Sequence, residues 1–211
     1  MTSAIRLPGE PWDEYEAMES LYSTPARRFL SSETVPGEVV QRLIDVAAQS
    51  PQAGSARPWA WVAVTDRHLR TTMAGWYRRS TASGDGSVAH HRDLAAAGQL
   101  ATHLEEAPVW IVPVLLGADG PPGSRSLIGF YSAITSLTVA AQGYGLGPSA
   151  TVLAVRHENR MRGLLNLPDN ALVMAVIPLG YPARGDWLVP ARPADGAALH
   201  WNSFGTGRSH R

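Results

Sequence analysis

Apolar positions recur along this chain with two different spacings, and the places where the spacing changes mark out its elements. Val40, Leu43, Ile44 and Ala47 fall on one face at helical spacing, which predicts an amphipathic helix over residues 36–49. Pro36 sits where a first helical residue, whose N–H has no partner in the helix, is expected. An earlier helix is predicted over 12–21, with carboxylates in its first turn where the helix dipole favours them. Trp-Ala-Trp-Val-Ala-Val from Trp59 reads as a strand ending at Thr65 and Asp66, a pair suited to cap a helix over 67–79. Small residues over 81–87 predict a linker, followed by a helix over 94–104.

The unbroken apolar run over 108–116 predicts a buried strand, while Pro113 inside it points to a sheet edge or a bulge. Over 127–144 apolar residues surround the predicted helix almost completely, so it belongs inside a core or against a partner subunit. Gly143 and Gly145 end it. A strand over 149–155, a helix over 158–165 and a strand over 172–179 complete the pattern, the last closing at Gly180-Tyr181-Pro182. Residues 183–211 are rich in Pro and Gly and lack periodicity, so they are expected to wrap the body or a neighbouring chain. Residues 1–11 and 205–211 are expected to be flexible tails. Helices and strands alternate without an internal repeat, which predicts a single α+β or α/β domain over 1–211.

Composition narrows the function. With 211 residues, 45% of them hydrophobic, the chain can bury one sizeable core. Eighteen basic and eighteen acidic side chains cancel, so no global field recruits nucleic acid or a membrane surface. The absence of cysteine excludes disulfides, iron–sulfur clusters and thiol nucleophiles. Glu10, Asp13, Glu14, Glu16 and Glu19 leave no apolar signal core near the start, and no apolar tract reaches bilayer length. A soluble, cytoplasmic protein is expected.

Several chemistries lack their motifs. His90 and His91 are adjacent in a polar stretch, and no zinc-type spacing appears. There is no Gly-x-Ser-x-Gly elbow and no Walker loop. Gly143-Tyr-Gly-Leu-Gly follows a helix rather than a strand, so it is no dinucleotide fingerprint. Glu105-Glu106 reads as a general base or as a solvated helix end. The segment over 50–59, Ser-Pro-Gln-Ala-Gly-Ser-Ala-Arg-Pro-Trp, is the remaining strong feature. Its flanking prolines stiffen the backbone while Gly54 and Ser55 allow close approach, so it is either a ligand cradle or a plain connection. Arg27, Arg28 and Arg192 suit a phosphate, and each alone suits a surface ion pair.

Taken in chain order, these segments resemble the flavin-dependent nitroreductase family. The carriers are Ala26-Arg27-Arg28-Phe29, Val35-Pro36, the loop from Ser50-Pro51 to Arg57-Pro58-Trp59, and Val62-Ala-Val-Thr-Asp. Glu106-Ala-Pro-Val, Gly143-Tyr-Gly-Leu-Gly, Leu164-Leu-Asn-Leu-Pro, Pro178-Leu-Gly-Tyr-Pro-Ala and Arg192-Pro193 follow. The likeness runs from about 22 to 204, and its specificity lies in the collinear set. It implies an α+β fold with a central antiparallel sheet flanked by helices, in an intertwined homodimer with FMN in each of two interface clefts. Arg27 falls on the last Arg of the family's phosphate-binding Arg-Arg-Ser-x-Arg, and Arg192 on its C-terminal phosphate-binding Arg. The loop contributed by the other subunit would bring Pro51, Gln52, Ala53, Ser55 and Arg57 to the flavin ring. Backbone N–H groups of Ala150, Thr151 and Val152 would lie near the ring's O4 and N5, where they favour the reduced anion.

The departures are specific. Ser23, Thr24 and Pro25 replace the first three residues of the phosphate motif, so two cationic contacts are lost, each worth ~1.5–3 kcal/mol. Gln52 and Ala53 replace two loop serines, Ser55 replaces an Asn, and Arg57 replaces a Gln and would restore part of the charge.

The resemblance implies an FMN oxidoreductase working by ping-pong hydride transfer, from NAD(P)H through flavin N5 to a nitroaromatic, quinone or enone. It needs no protein acid or base and no metal. The degenerate phosphate motif keeps two alternatives open: a non-catalytic dimer holding flavin or deazaflavin, and a specialised flavin oxidase using oxygen. Trp76, Tyr77 and residues 81–91 would cover the cleft, or Trp76 would pack internally. No ribose-reading segment chooses between NADH and NADPH.

Overall fold

The computed structural model describes residues 29–51, 58–82, 100–117, 124–151, 157–183 and 203. Five strands form one antiparallel sheet: β1 (Trp59–Val64), β2 (Val109–Leu115), β3 (Gly147–Pro148), β4 (Leu172–Val173) and β5 (Ile177–Gly180). The order is β1-β2-β5-β3, with β4 also paired to β2. Among the described residues the sheet packs against α1 (Gly37–Ala48), α2 (Arg67–Ala82), α3 (Ser124–Gly143) and α4 (Glu158–Leu165). A 3₁₀ turn, Leu104–Glu106, leads into β2.

The unbroken apolar run of β2 has a simple cause: all seven residues are buried, because both faces of the strand are covered. Alternation sends Trp110, Val112 and Val114 into one core with Met73, Ala74 and Tyr77 of α2 and Met161 of α4. Val109, Ile111 and Leu115 enter the other core, with Val40, Leu43 and Ala47 of α1 and Phe130, Ile134 and Leu137 of α3. The buried indole of Trp110 donates to the Leu104 carbonyl at 3.2 Å, so its polar atom is satisfied.

Pro113 does not make β2 an edge strand. Trp61 opposes Pro113 in an unbroken ladder from Trp59↔Leu115 to Val64↔Trp110. The disruption lies on the other side. Val114 pairs with Val173 and Ile111 with Ile177, so two residues of β2 face three residues, 174–176, of the neighbouring segment. That extra residue is the bulge that a proline inside a strand calls for. The Pro113 carbonyl accepts from the Met174 N–H at 3.2 Å, so the missing donor faces the same interrupted side. The expected strand over 172–179 is accordingly split into β4 and β5.

Other boundaries shift for local reasons. Pro36 is the residue before α1 rather than its first helical residue, since its ψ of 138° is extended. Its carbonyl still accepts from the Val39 and Val40 N–H groups. Asp66 caps α2 as expected, accepting from the Leu69 N–H at 2.9 Å. That helix continues through Thr81 and Ala82, where a linker was predicted. The strand predicted from 149 begins at Gly147. The helix over 158–165 has the predicted limits and ends on Asn166 in the left-handed region, φ 50°. Of the helix predicted over 94–104, residues 100–103 are helical and run into the 3₁₀ turn. The helix predicted over 12–21 and the segment after 183 lie outside the described residues, apart from Ser203.

Although α3 is apolar nearly all round, only one face meets the protein's own core. Ile128 and Tyr131 on the other are 61% and 50% exposed. The helix ends with the Leu146 N–H donating to the Ala141 carbonyl and the Gly145 N–H to the Gln142 carbonyl, around Gly145 at φ 71°. Gly145, not Gly143, is therefore the conformational stop. No heavy atom lies within 4 Å of a Cβ added at either position, so substitution there reads the backbone alone. Gly145→Ala should lower unfolding free energy by about 1–2 kcal/mol, the cost of a left-handed L-residue. Gly143→Ala, in the helix, should raise it by up to about 1 kcal/mol. Urea unfolding checks both signs.

Candidate functional site

The loop after α1 is tied at both ends. The Ser50 N–H donates to the Ala47 carbonyl at 3.2 Å, and the Pro58 carbonyl accepts from the Leu116 N–H at 2.6 Å. Pro51 is exposed at the start of this loop; Gln52, Ala53, Ser55 and Arg57 lie outside the described residues. Ser50 is 7% exposed, and its Oγ has no hydrogen-bond partner. A buried hydroxyl left unpaired costs about 1–3 kcal/mol, so a polar group arriving at the loop would find it ready to bond. Beyond the loop, Trp59 and Trp61 both lie 6.4 Å from Phe130 of α3, the first edge-on and the second stacked. The outgoing strand is thereby locked to the helix with the exposed apolar face.

The second expected cofactor segment follows β3. The Ser149 N–H donates to the Pro178 carbonyl, and Thr151 exchanges both backbone bonds with Val176 at 2.8 and 2.9 Å. The Thr151 amide is thus used within the sheet and is not a spare donor. Strand alternation turns the N–H of exposed Ala150 the opposite way. Of the three amides expected near a flavin, that of Thr151 is bonded within the sheet, that of Ala150 points away from it, and Val152 lies outside the described residues. Ser23, Thr24, Arg27 and Arg192, and with them the phosphate grip, lie outside them as well.

Tyr77, expected as cleft cover, is a core residue at 1% exposure. Position 77 continues the buried face set by Met73 and Ala74, a signal available in the helical period. The Thr151 Oγ1 donates to its hydroxyl oxygen at 3.4 Å. Burial pushes the Tyr77 hydroxyl above its ordinary pKa, and the Thr151 bond partly opposes the shift. Trp76 is partly buried against the same core, 6.0 Å from the His157 ring. One turn on, Ser80 Oγ and His157 Nε2 lie 2.8 Å apart. Nothing in the sequence flags this pair, because its partners are 77 residues apart.

A cleft of about 790 Å³ opens between α2 and the 3₁₀ turn, lined by Arg67, Arg70, Arg78, Glu105 and Glu106 together with Thr and Ser hydroxyls. Several of its polar side chains are bonded to one another or to backbone. Arg78 binds Glu105, and His103 meets Glu106 at 3.0 Å. Arg70 donates to the Glu105 and Ala107 carbonyls and so fastens the turn to α2. Burial and then neighbouring Arg67 hold the Arg70 pKa below its ordinary value. Glu105 and Glu106 therefore belong to a turn in which both carboxylates have a bonded partner. Among the described residues no cluster of His, Asp or Glu could hold a metal ion, and no helix is long and apolar enough to cross a membrane.

This order of helices and strands, with a central antiparallel sheet, is matched by known proteins. The model of the nitroreductase family aligns with residues 22–181. The chain belongs to that family. Rat (Rattus norvegicus) iodotyrosine deiodinase 1 is 26% identical over 81% of this chain, which spans 63% of that protein's length. A putative NADH dehydrogenase/NAD(P)H nitroreductase of Archaeoglobus fulgidus is 24% identical over 79% of this chain and 86% of its own length. Among solved structures, a nitroreductase with bound FMN from Desulfitobacterium hafniense superposes with a TM-score of 0.72 at 16% identity, over 89% of this chain and 98% of its own. This nitroreductase-family chain therefore shares the fold of a protein that holds FMN.

The raised Tyr77 pKa has a measurable consequence. Above pH 10.0 the unfolded chain sheds a phenolic proton that the folded family member retains, so stability should fall as pH rises toward the folded value. The slope from this residue is at most about 1.4 kcal/mol per pH unit. Tyr77→Phe should flatten the decline, read as urea midpoints between pH 8 and 11.

Proposed function

We propose that the protein is an FMN-dependent oxidoreductase that takes reducing equivalents from NAD(P)H and delivers them to a small aromatic or quinone-like acceptor. The observation that carries this reading is the family match across residues 22–181, joined to the fold shared with an FMN-bound nitroreductase. FMN, when bound, supplies hydride acceptance and donation at N5. The chain's own contribution is to hold, orient and shield. Arg27 and Arg192 would grip the phosphate, with Ser23, Thr24 and Arg57 as supplementary polar contacts. The loop from Pro51, including Gln52, Ala53 and Ser55, would lie against the ring, with the unpartnered Ser50 Oγ available at its base. The Ala150 and Val152 amides would stabilise negative charge on the ring. None of these residues is asked to transfer a proton.

A homodimer belongs to this proposal. Exposed Ile128 and Tyr131 on α3 give a second copy an apolar surface to cover. The acceptor has a second reading, favoured by the likeness to iodotyrosine deiodinase: a halogenated phenol that loses its halide on reduction.

Titrating the purified chain with FMN, followed by flavin fluorescence quenching, tests the proposal. Saturation near one FMN per chain is expected, with bleaching by NADH or NADPH and recovery on a nitroaromatic or quinone. Recovery only with a halophenol, with halide released, selects the second reading. Flavin that NAD(P)H leaves unbleached points instead to an oxidase, whose flavin an organic substrate would reduce and oxygen would reoxidise. A chain that takes up no FMN overturns the proposal. Arg27→Ala and Arg192→Ala should each weaken FMN binding about tenfold to a hundredfold, as loss of ~1.5–3 kcal/mol requires.

A further inference from the structure

Two side chains on one face of α2, Tyr77 and Ser80, make side-chain bonds to the region that follows β3. Tyr77 is fully buried and accepts from Thr151 Oγ1; Ser80 and His157 Nε2 lie 2.8 Å apart. Residues three apart on a helix share a face, so one rigid element reaches both Thr151 and His157. Each anchor is reinforced. Thr151 is bridged to Val176 by two backbone bonds, and Trp76 packs beside the His157 ring. His157 immediately precedes α4, whose Met161 is buried in the same core as Tyr77. The Ala150 amide, turned away from the sheet, is one residue from the first anchor.

We propose that Tyr77 and Ser80 are positioning residues that hold Thr151 and His157 and thereby set the Ala150 amide against the flavin ring. This inference rests on the FMN reading above. An amide that favours charge on the ring does so only while its direction is fixed, so loosening the anchors should change the cofactor's electronic balance before it changes the fold. Neither residue touches the reacting atoms.

The midpoint potential of bound FMN separates positioning from mere structural support. The Tyr77→Phe/Ser80→Ala double variant should prefer reduced over oxidised FMN about tenfold less than the natural chain, a potential about 30 mV more negative for a two-electron couple. Ser80→Thr, which keeps the hydroxyl, should retain the natural potential. An unchanged potential in a double variant that binds FMN normally overturns the proposal, even if its unfolding midpoint falls. Should the double variant fail to fold, the two single variants carry the same measurement. Should the natural chain take up no FMN, the functional reading fails separately. Hydrogen exchange of the peptide containing Ala150 and Thr151 then decides: faster exchange in the variants supports the anchoring, and equal exchange overturns it.

Discussion

Burial of β2 on both faces is the constraint on which the rest depends. A strand covered from above and below must carry apolar residues at successive positions, and β2 sends its side chains alternately into two cores, one on each face of the sheet. Each helix pair is positioned by one half of that alternation. Trp110, Val112 and Val114 set where α2 and α4 lie, while Val109, Ile111 and Leu115 set where α1 and α3 lie. A change in the middle of β2 would therefore be felt in both cores.

The two stretches expected at the cofactor are carried by opposite sides of this arrangement. The loop leaving α1 begins on one core, and its far end is stitched to Leu116, just past β2. The Ala150–Thr151 segment is fastened to β5 by backbone and to α2 by side chain. Thr151 joins the sheet by a single bridge, so the geometry of its segment is borrowed from the packed elements beside it. That division suits the proposed function, in which the chemistry would belong to a cofactor and the polypeptide would need rigid attachment points more than reactive groups.

Much of the fold was legible because it follows from periodicity. The limits of α4, the six residues of β1 and the capping by Asp66 are local consequences of spacing and side-chain chemistry. The errors arose where a neighbour decides the outcome. Pro113 reads locally as an edge or a bulge, and the choice of the bulge depends on which side of β2 its missing N–H faces, which is fixed by the strands on either side. Tyr77 reads as an aromatic near a cleft, yet the helix phase set by Met73 turns it inward. The Ser80–His157 contact carries no sequence mark, since only the completed packing of α2 and α4 brings the two together. The candidate site was readable only by likeness, as a collinear set of short segments none of which is specific.

Prolines occupy three of the strands, at 113, 148 and 178. A one-residue slip would rotate β2 about its own axis and exchange the neighbours toward which each peptide group points. Pro113, whose absent hydrogen now meets a deliberate gap, would then confront a carbonyl of β1 and leave it without a donor. Misaligned pairings during folding are thus penalised twice, by inverted side chains and by an orphaned acceptor, and the ring that interrupts the sheet's bonding also discriminates against its nearest incorrect versions.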